Sequence, residues 1–320
     1  MAEVMGELLS CGYYEPIAQM RRLIEEKVEI QDWFQMSREH TLTEYGNCIS
    51  PIMAAELLYS EVNTMRIKKF VLGFWQAVQE IVKNQYGKQI QVLYIGTGPF
   101  ATLALPVVAC FPKERLVVHA VDVHQQSLDT LDRVLRYFEI EDSFPARTCA
   151  DATTVDWTRH LQTEPDIVLV ECMDAALLNE PQARIVQHLR SQVHTPFLLV
   201  PERVQVYVSG TVSDNYSAPP QAFFSLDRQG IAMQRGHFVA QTNRVCGFFQ
   251  RPDSRKGKWI PHLETVVKVF GDQVLAGDDA SITCTKTLPS LGTEGEKALI
   301  TYVLGALPGE VVVKPITSSS

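Results

Sequence analysis

The stretch VLYIGTGPFATLAL, residues 92–105, decides the fold of this chain. A strand-like apolar run leads into Gly96, a second glycine follows at position 98, and a proline and another apolar run come after it. Glycine adopts positive φ readily and lets the backbone approach a ligand, so this order predicts a strand, a tight ligand-binding turn and a helix over residues 100–110. The turn has no third glycine to complete the GxGxxG pattern of a dinucleotide-binding turn, which favours a smaller nucleoside over a dinucleotide.

Apolar runs alternate with amphipathic segments on both sides of this turn. Strand-like runs occur at 89–96, 116–123, 146–151, 165–173 and 196–202, and helical periodicity occurs at 126–138 and 180–190. Near-continuous Val, Ile and Leu runs are typical of parallel strands that are covered on both faces. Residues 44–200 are therefore predicted to form an α/β domain with a Rossmann-like, doubly wound sheet.

The chain changes character after Pro201. Short β-prone runs, separated by Gly, Pro, Asn and Asp, fill the rest of the sequence. This pattern predicts a C-terminal antiparallel β domain, either a sheet or a barrel, over residues 201–320.

Residues 1–43 are predicted to form N-terminal helices that act as a lid or a brace. Within 15–28, the residues Ile17, Met20 and Ile24 fall on one helical face with charges opposite, so this face should lie on an apolar surface. A second helix is predicted to begin at Ser50 and Pro51, a capping residue and a first-turn proline, and to run without interruption to about residue 84.

The composition limits the partners that the protein can bind. Its net charge is -8 at pH 7, so it lacks the excess of Lys and Arg that binding to a nucleic-acid backbone requires. The sequence shows no basic leader and no apolar run of about 18 residues, which predicts a cytoplasmic protein without a membrane partner. Seven dispersed cysteines without a CxxC pair, and eight histidines without HExxH or HxH spacing, predict neither disulfides nor a metal site.

Two aspartates follow the next two strands of the predicted sheet. Asp122 ends the strand after the glycine turn, and Asp151 closes the following strand in the segment CADATT. Open α/β sheets bind ligands outside the carboxyl ends of their strands. The sequence therefore predicts a nucleoside site in which Asp122 accepts hydrogen bonds from ribose hydroxyls and Asp151 faces an adenine amino group. The alternative is that both aspartates only cap their strand ends.

Four segments, VLYIGTGPFATLAL, VHAVDV, CADA and IVLVECMDAALLNEP, resemble the successive motifs of class I S-adenosylmethionine-dependent methyltransferases. The order of N-terminal helices, Rossmann core and β-rich tail is similar to that of the protein arginine methyltransferases over nearly the whole chain. This resemblance implies S-adenosylmethionine as the cofactor. It implies that the methionine part is contacted by Gly96, Thr97, Gly98, Pro99 and Phe100. It also implies that Asp122 contacts the ribose, that Asp151 and Ala152 contact the adenine, and that Tyr45 closes over the cofactor.

The loop after the fourth strand supplies the catalytic candidates. In the arginine methyltransferase family this loop carries two glutamates that hold a cationic nucleophile. Glu171 and Glu180 occupy comparable places, and Asp174 lies between them as a third candidate. A carboxylate in this loop would orient an amine and accept its proton. For Glu180, the alternative is a cap on the helix that Pro181 opens.

Three departures from the family pattern argue against protein arginine as the substrate. Tyr94 replaces an acidic residue before the first glycine, the β-rich tail lacks a Thr-His-Trp-like triplet, and Asn63 stands in place of a cofactor-binding arginine. Arg66 lies one turn beyond that position. We therefore expect a transferase of small-molecule biosynthesis that methylates a small amine-containing metabolite. A homodimer is one of the possible assemblies.

The GTGPF turn is also similar to the turn of nicotianamine synthases, and azetidine-carboxylate synthases likewise look like modified methyltransferases. These enzymes act at the aminocarboxypropyl arm of the same cofactor, by transfer or by cyclisation to azetidine-2-carboxylate, and release methylthioadenosine. The binding motifs alone do not decide which carbon of the sulfonium reacts, because the group poised against the sulfur decides it. A non-catalytic relative that binds the cofactor or a partner protein is the third alternative.

Overall fold

The computed structural model describes residues 1–10, 15–26, 36–57, 60–85, 87–212, 216–251, 258–292, 297–305 and 311–316. The strands of the first two thirds are β1 (Thr41–Thr43), β2 (Gly46–Cys48), β3 (Ile90–Ile95), β4 (Leu116–Asp122), β5 (Ala146–Cys149), β6 (Ile167–Val170) and β7 (Leu198–Val200). Strands β1 and β2 form a small hairpin, and the others form a sheet in the order β5-β4-β3-β6-β7. All pairs in this sheet are parallel, which confirms the predicted doubly wound arrangement.

The order of the strands fixes where a ligand can bind. The chain runs outward from β3 through β4 to β5 and then crosses to β6 and β7 on the other side of β3. Connections therefore leave β3 and β6 in opposite directions and open a crevice between their carboxyl ends. The central strands β3, β4 and β6 are buried along nearly their whole length, whereas the edge strand β5 has no fully buried residue.

The helices of the described chain are α1 (Ala2–Ser10), α2 (Glu15–Glu25), α3 (Pro51–Glu56), α4 (Thr64–Asn84), α5 (Leu105–Val108), α6 (Gln125–Tyr137), α7 (Trp157–His160) and α8 (Gln182–Arg190). None of them is long and apolar enough to cross a membrane.

The prediction of one uninterrupted helix from Ser50 to about residue 84 is wrong. Ser60 has an extended backbone, with φ −76° and ψ 122°, and a 3-10 turn at Glu61–Asn63 joins it to α4. An extended residue cannot continue the i to i−4 hydrogen bonds of a helix. The break lets α3 reach the glycine turn, where a Cβ on Gly98 would lie 3.4 Å from Ala54 Cβ. Both pieces are amphipathic, so the apolar pattern continues across the break.

The helix predicted over residues 100–110 is also shorter than expected. Ala101 has φ +44°, which is a left-handed conformation, and the helix α5 begins only at Leu105. The turn after β3 therefore extends well beyond Gly98. No helix begins directly after the glycines, so the turn presents its backbone at this position.

The last third of the chain forms two antiparallel sheets, as predicted. Its strands are β8 (Arg203–Val212), β9 (Tyr216–Asp227), β10 (Gly230–Met233), β11 (His237–Val239), β12 (Arg244–Gln250), β13 (Trp259–Phe270), β14 (Gln273–Leu275), β15 (Lys286–Thr287), β16 (Lys297–Val303) and β17 (Val312–Ile316). One sheet has the order β10-β9-β8-β13-β14 with β15 on β13, and the other has the order β11-β12-β16-β17. Alternate residues of β13 are buried, which is the pattern of a sheet with one face on the core.

The N-terminal helices pack as a brace would. Val4, Met5 and Leu8 of α1 are buried, as are Ile17 and Met20 of α2, and all five belong to the same apolar cluster as the Rossmann sheet. Helices buried in this way contribute to the stability of the fold. Such packing is expected of a brace, and the choice between lid and brace stays a prediction.

We expect Met20→Ala to lower the free energy of unfolding by about 2–5 kcal/mol, the usual cost of removing a buried Met side chain. Urea denaturation with a wild-type control would measure this loss. Leu9→Ala is the matched control, because Leu9 on the neighbouring helix is 50% exposed. Equal free energies of unfolding in the two variants would contradict the hypothesis that these helices are a brace and would favour a lid.

Candidate functional site

A cavity lies at the carboxyl ends of β3, β4 and β6 and has a volume of about 960 Å³ with its open mouth included. The wall residues lie between positions 47 and 185, so none of the described residues of the β domain lines it. The structure brings eight of the predicted site residues to this wall: Gly96, Thr97, Gly98, Asp122, Asp151, Ala152, Glu171 and Glu180.

The glycine turn forms one side of the cavity. Gly96 and Gly98 have φ values of +76° and +57°, which side chains with a Cβ adopt only with strain. A Cβ on Gly96 would lie 2.5 Å from Cys172 Sγ. The turn therefore requires glycine at position 96 for its conformation and for the close approach of the strand beside it.

Asp122 holds the turn as well as facing the cavity. Its Oδ2 accepts a hydrogen bond from the Gly98 N–H at 2.9 Å, and its Oδ1 accepts one from the His124 N–H at 2.8 Å. The His124 ring in turn contacts Thr41 Oγ1 of β1 at 3.0 Å. A carboxylate oxygen can accept more than one hydrogen bond, so capping of the strand end leaves acceptor capacity for a ligand.

Asp151 has the same combination of roles. Its Oδ1 accepts from the Thr153 N–H at 2.8 Å and from Thr153 Oγ1 at 2.6 Å, which caps the loop after β5. Asp151 and the following Ala152 both line the cavity.

A buried ion pair crosses the cavity floor between Arg66 of α4 and Glu171 after β6. The two side chains are only 7% and 8% exposed. Ser281 of the β domain lies 3.5 Å from Arg66 Nη1 and donates to Asn63 Oδ1 at 2.8 Å. Burial lowers the pKa of Arg66 to about 10, so its guanidinium stays charged at neutral pH. Arg66 reaches Glu171 because the helix is broken before α4. The spacing of residues in the sequence does not show this contact.

Glu180 faces the cavity as a carboxylate that titrates near neutral pH. Burial raises the pKa of Glu180 to about 7, while Arg66 lowers the pKa and Asp174 raises it further. Among the described residues, no side chain forms an ion pair or hydrogen bond with this carboxylate. A carboxylate with a pKa near the working pH is suited to accept a proton from an amine.

Asp174 organises the loop that carries Glu180. Its carboxylate accepts from the Asn179 N–H at 2.9 Å and from Asn179 Nδ2 at 2.6 Å, and it is not among the wall residues. Ala176 and Leu177 in the same loop have φ values of +60° and +56°. Such left-handed conformations cost roughly 1–2 kcal/mol in residues other than glycine, so other contacts must hold this loop.

Three other predicted residues lie away from the wall. The guanidinium of Arg184 lies 4.2 Å above the ring of Tyr45, so this ring faces a cation of the protein itself. Pro99 and Phe100 are buried, and Phe100 belongs to the apolar core. Contacts of Tyr45, Pro99 and Phe100 with a cofactor stay predictions.

Several other wall residues belong to no motif that the sequence predicts to bind a ligand. They include Asn47, Cys48, Leu103, His124, Ser127 and Cys172. Burial and the nearby carboxylates of Asp151 and Glu180 raise the pKa of Cys48 to about 12, so its thiol is neutral. Ser127 could have been found from its position, since it lies in the first turn of the helix after Asp122. The hairpin that carries Asn47 and Cys48 has no comparable local pattern.

Two buried hydroxyls in the wall point to a polar ligand. Thr97 and Ser127 are 3% and 1% exposed, and within the described part of the chain their hydroxyl oxygens have no hydrogen-bond partner. Buried polar groups in native proteins are nearly always paired. A ligand that supplies polar atoms beside the turn and α6 would satisfy them.

No protein-family model and no curated protein sequence matches this chain. Solved structures with the same fold do match. The PRMT1 enzyme–prozyme heterotetrameric complex of Trypanosoma brucei with AdoHcy is 14% identical with a TM-score of 0.54, over 78% of this chain and 87% of that one. PRMT6 with SAH is 11% identical with a TM-score of 0.50, over 75% and 95% of the two chains.

A third structure, protein arginine methyltransferase 10 of Arabidopsis thaliana in a uniquely open conformation, is 9% identical with a TM-score of 0.51, over 78% of this chain and 86% of that one. At such identities the similarity concerns the fold. The parallel sheet and the two antiparallel sheets thus belong to one known architecture. The chain has the protein arginine methyltransferase fold, a Rossmann-like domain followed by a β domain.

Proposed function

We propose that this protein is a class I S-adenosylmethionine-dependent transferase that methylates a small amine-containing metabolite. One observation carries the proposal. A single cavity collects the glycine turn, two strand-end aspartates, a buried Arg–Glu pair and Glu180, which has no ion-pair partner among the described residues. The structural neighbours that were solved with AdoHcy or SAH support the same cofactor class for this chain.

The wall residues fit the parts of S-adenosylmethionine. The backbone of Gly96 and Gly98 would bind the methionine part, Arg66 would offer a cation for its carboxylate, and Glu171 would offer an anion for its ammonium. Asp122 would accept the ribose hydroxyls, and Asp151 with Ala152 would lie at the adenine. Thr97 and Ser127 would gain the partners that their buried hydroxyls lack.

The cofactor, when bound, supplies a sulfonium whose carbon substituents are open to nucleophilic attack. The protein residues then have two tasks. Arg66 and Glu171 hold the amino-acid end, and Glu180 accepts the proton that the acceptor amine gives up as its nitrogen bonds to the methyl carbon. The C–S bond breaks in the same step, and its electrons stay on sulfur.

Methylation of a small amine agrees with the wall of the cavity. The described β domain adds no residue to the wall, and the tail lacks the Thr-His-Trp-like triplet that arginine-modifying enzymes use. Protein arginine, the substrate class that the neighbours' names indicate, is the alternative acceptor.

Reaction at the aminocarboxypropyl arm is the second candidate, and the Arg66–Glu171 pair favours it. If Arg66 holds the cofactor's carboxylate, Glu171 lies next to the cofactor's own amine. A carboxylate in that place could take the proton of this amine, whose nitrogen would then bond to the γ-carbon of the same arm as the C–S bond breaks, so that the ring closes and methylthioadenosine leaves.

Identification of the nucleoside product tests these proposals. The pure protein is incubated with S-adenosylmethionine alone and then with candidate amines or an arginine-containing peptide. S-adenosylhomocysteine shows methyl transfer, and methylthioadenosine shows use of the arm, with cyclisation if no second substrate is needed. Binding without either product would favour the non-catalytic alternative and overturn the proposed activity.

We expect Asp122→Ala to weaken binding of S-adenosylmethionine by roughly 1–3 kcal/mol, the cost of losing a charge-assisted hydrogen bond. The same change removes the acceptor for the Gly98 and His124 N–H groups, so the melting temperature of the free protein should fall too. Asp129→Ala is the control, because Asp129 is an aspartate outside the cavity wall on the following helix. Unchanged affinity in Asp122→Ala would remove this carboxylate from the ligand site.

A further inference from the structure

The β domain binds the loop that carries Glu180, although its described residues do not line the cavity. The Ala176 N–H donates to Thr265 Oγ1 of β13 at 2.8 Å. Tyr302 Oη of β16 donates to the Ala176 carbonyl at 3.0 Å. Thr265 and Tyr302 are 1% and 0% exposed, so water does not compete for these bonds.

A third contact continues along the loop towards Glu180. The Gly305 N–H donates to the Leu177 carbonyl at 3.1 Å. A Cβ on Gly305 would lie 3.1 Å from the Glu180 carbonyl and 2.4 Å from the Tyr45 carbonyl. The β domain therefore packs against the loop from its left-handed residues to Glu180 itself.

The conformation of the loop makes these bonds necessary. Ala176 and Leu177 are left-handed without being glycine, a conformation that persists only where surrounding contacts determine it. Both backbone polar groups of Ala176 are bound by side chains of the β domain. We propose that Thr265 and Tyr302 are positioning residues that hold the 174–180 loop and thereby set where the Glu180 carboxylate lies in the cavity.

This inference rests on the proposed function only where it assigns Glu180 as the proton acceptor. The charged groups that act on Glu180 are Arg66 and Asp174. Release of the loop would change the distance of Glu180 from Arg66 and admit water to its carboxylate. Its proton affinity should then move towards that of an ordinary glutamate.

Two pairs of variants separate positioning from general stability. Thr265→Val keeps the shape of the side chain and removes the acceptor, whereas Thr265→Ser keeps the acceptor. Tyr302→Phe keeps the ring contacts with Phe223 and Phe224, at 6.1 and 6.2 Å, and removes the donor. Tyr207→Phe is its control, because Tyr207 is half-buried in β8 and its position pairs with Glu264 of β13 and Ala222 of β9.

The first readout is the titration of Glu180 in protein labelled with ¹³C at glutamate carboxyls, with the resonance assigned by its loss in Glu180→Gln. In Thr265→Val and Tyr302→Phe we expect the midpoint to fall by about one pH unit, and amide exchange at 176–180 to become about tenfold faster or more. Thr265→Ser and Tyr207→Phe should match the wild type.

The second readout is turnover, where kcat should fall about tenfold in the two loop-releasing variants with KM for S-adenosylmethionine within about threefold of wild type. If the wild type forms no nucleoside product, the proposed function fails, while titration and exchange still decide the role of the two residues. Wild-type midpoints and exchange in both Thr265→Val and Tyr302→Phe would overturn the inference. Thr265→Ser that behaves like Thr265→Val would also count against it.

Discussion

Glu180→Gln should lose about a hundredfold in kcat at pH 8, the lower end of what a positioned general base supplies. The amide has nearly the same shape as the carboxylate but carries no charge and is a poor base. Because the pKa of Glu180 is raised to about 7, the wild-type carboxylate becomes protonated as the pH falls below 7. The rate difference between the two proteins should therefore shrink towards pH 6.

Product formation at a series of pH values, with each protein saturated in S-adenosylmethionine, measures this effect. Glu114→Gln is the control, since Glu114 is exposed and distant from the cavity wall. A Glu180→Gln protein with wild-type rates at pH 8 would exclude Glu180 as the base. In that case Glu171 would be the next candidate, once freed from Arg66 by the cofactor's carboxylate.

The same titration should appear in stability. Burial raises the pKa of Glu180 from its ordinary value of 4.5 to about 7, so the folded protein holds this proton more tightly than the unfolded chain does. Its contribution is fully present below about pH 4.5 and is lost as the pH rises through about 7. Wild type should therefore lose stability relative to Glu180→Gln between these pH values.

Gly96→Ala should abolish measurable binding of S-adenosylhomocysteine. The alanine Cβ would lie 2.5 Å from Cys172 Sγ and 3.3 Å from the Glu171 carbonyl, and the φ of +76° disfavours any side chain. To relieve this clash, either the glycine turn or the strand end that carries Glu171 must shift. We expect a loss of affinity of at least about a hundredfold, or about 2.7 kcal/mol.

Gly87→Ala is a matched control for this change. Gly87 has a φ of +87° but no atom within 4 Å of the added Cβ, so it imposes the same backbone strain without the clash. Calorimetric titration of both variants separates the two effects. Equal affinity of Gly96→Ala and Gly87→Ala would show that the turn does not contact the ligand.

The sequence predicted those parts of the site that local patterns determine. The glycine turn, Asp122 and Asp151 each follow an apolar run, and the end of a buried parallel strand has to meet the ends of its neighbours. Glu171 was placed for the same reason. The double-glutamate resemblance added Glu180, which geometry alone would not have selected.

The contacts that complete the site join residues far apart in the chain. Arg66 pairs with Glu171 across 105 positions, and Tyr302 reaches Ala176 across 126. Neither pair has a sequence pattern, because hydrophobic periodicity shows which face of an element is buried but not which distant element packs against it. The break before α4 was missed since the amphipathic pattern continues through it, and the left-handed residues of the 174–180 loop are held by the β domain rather than by their own propensities.

The central claim is that the cavity binds S-adenosylmethionine. Isothermal titration of S-adenosylmethionine into the wild-type protein tests it most directly, with Gly87→Ala and Gly96→Ala as the matched pair. We expect one binding site with a Kd of about 10 µM or lower, equivalent to roughly −7 kcal/mol. Gly87→Ala should retain this binding, and Gly96→Ala should lose it. A folded wild-type protein that shows no binding at about 1 mM ligand, a limit near −4 kcal/mol, would contradict it.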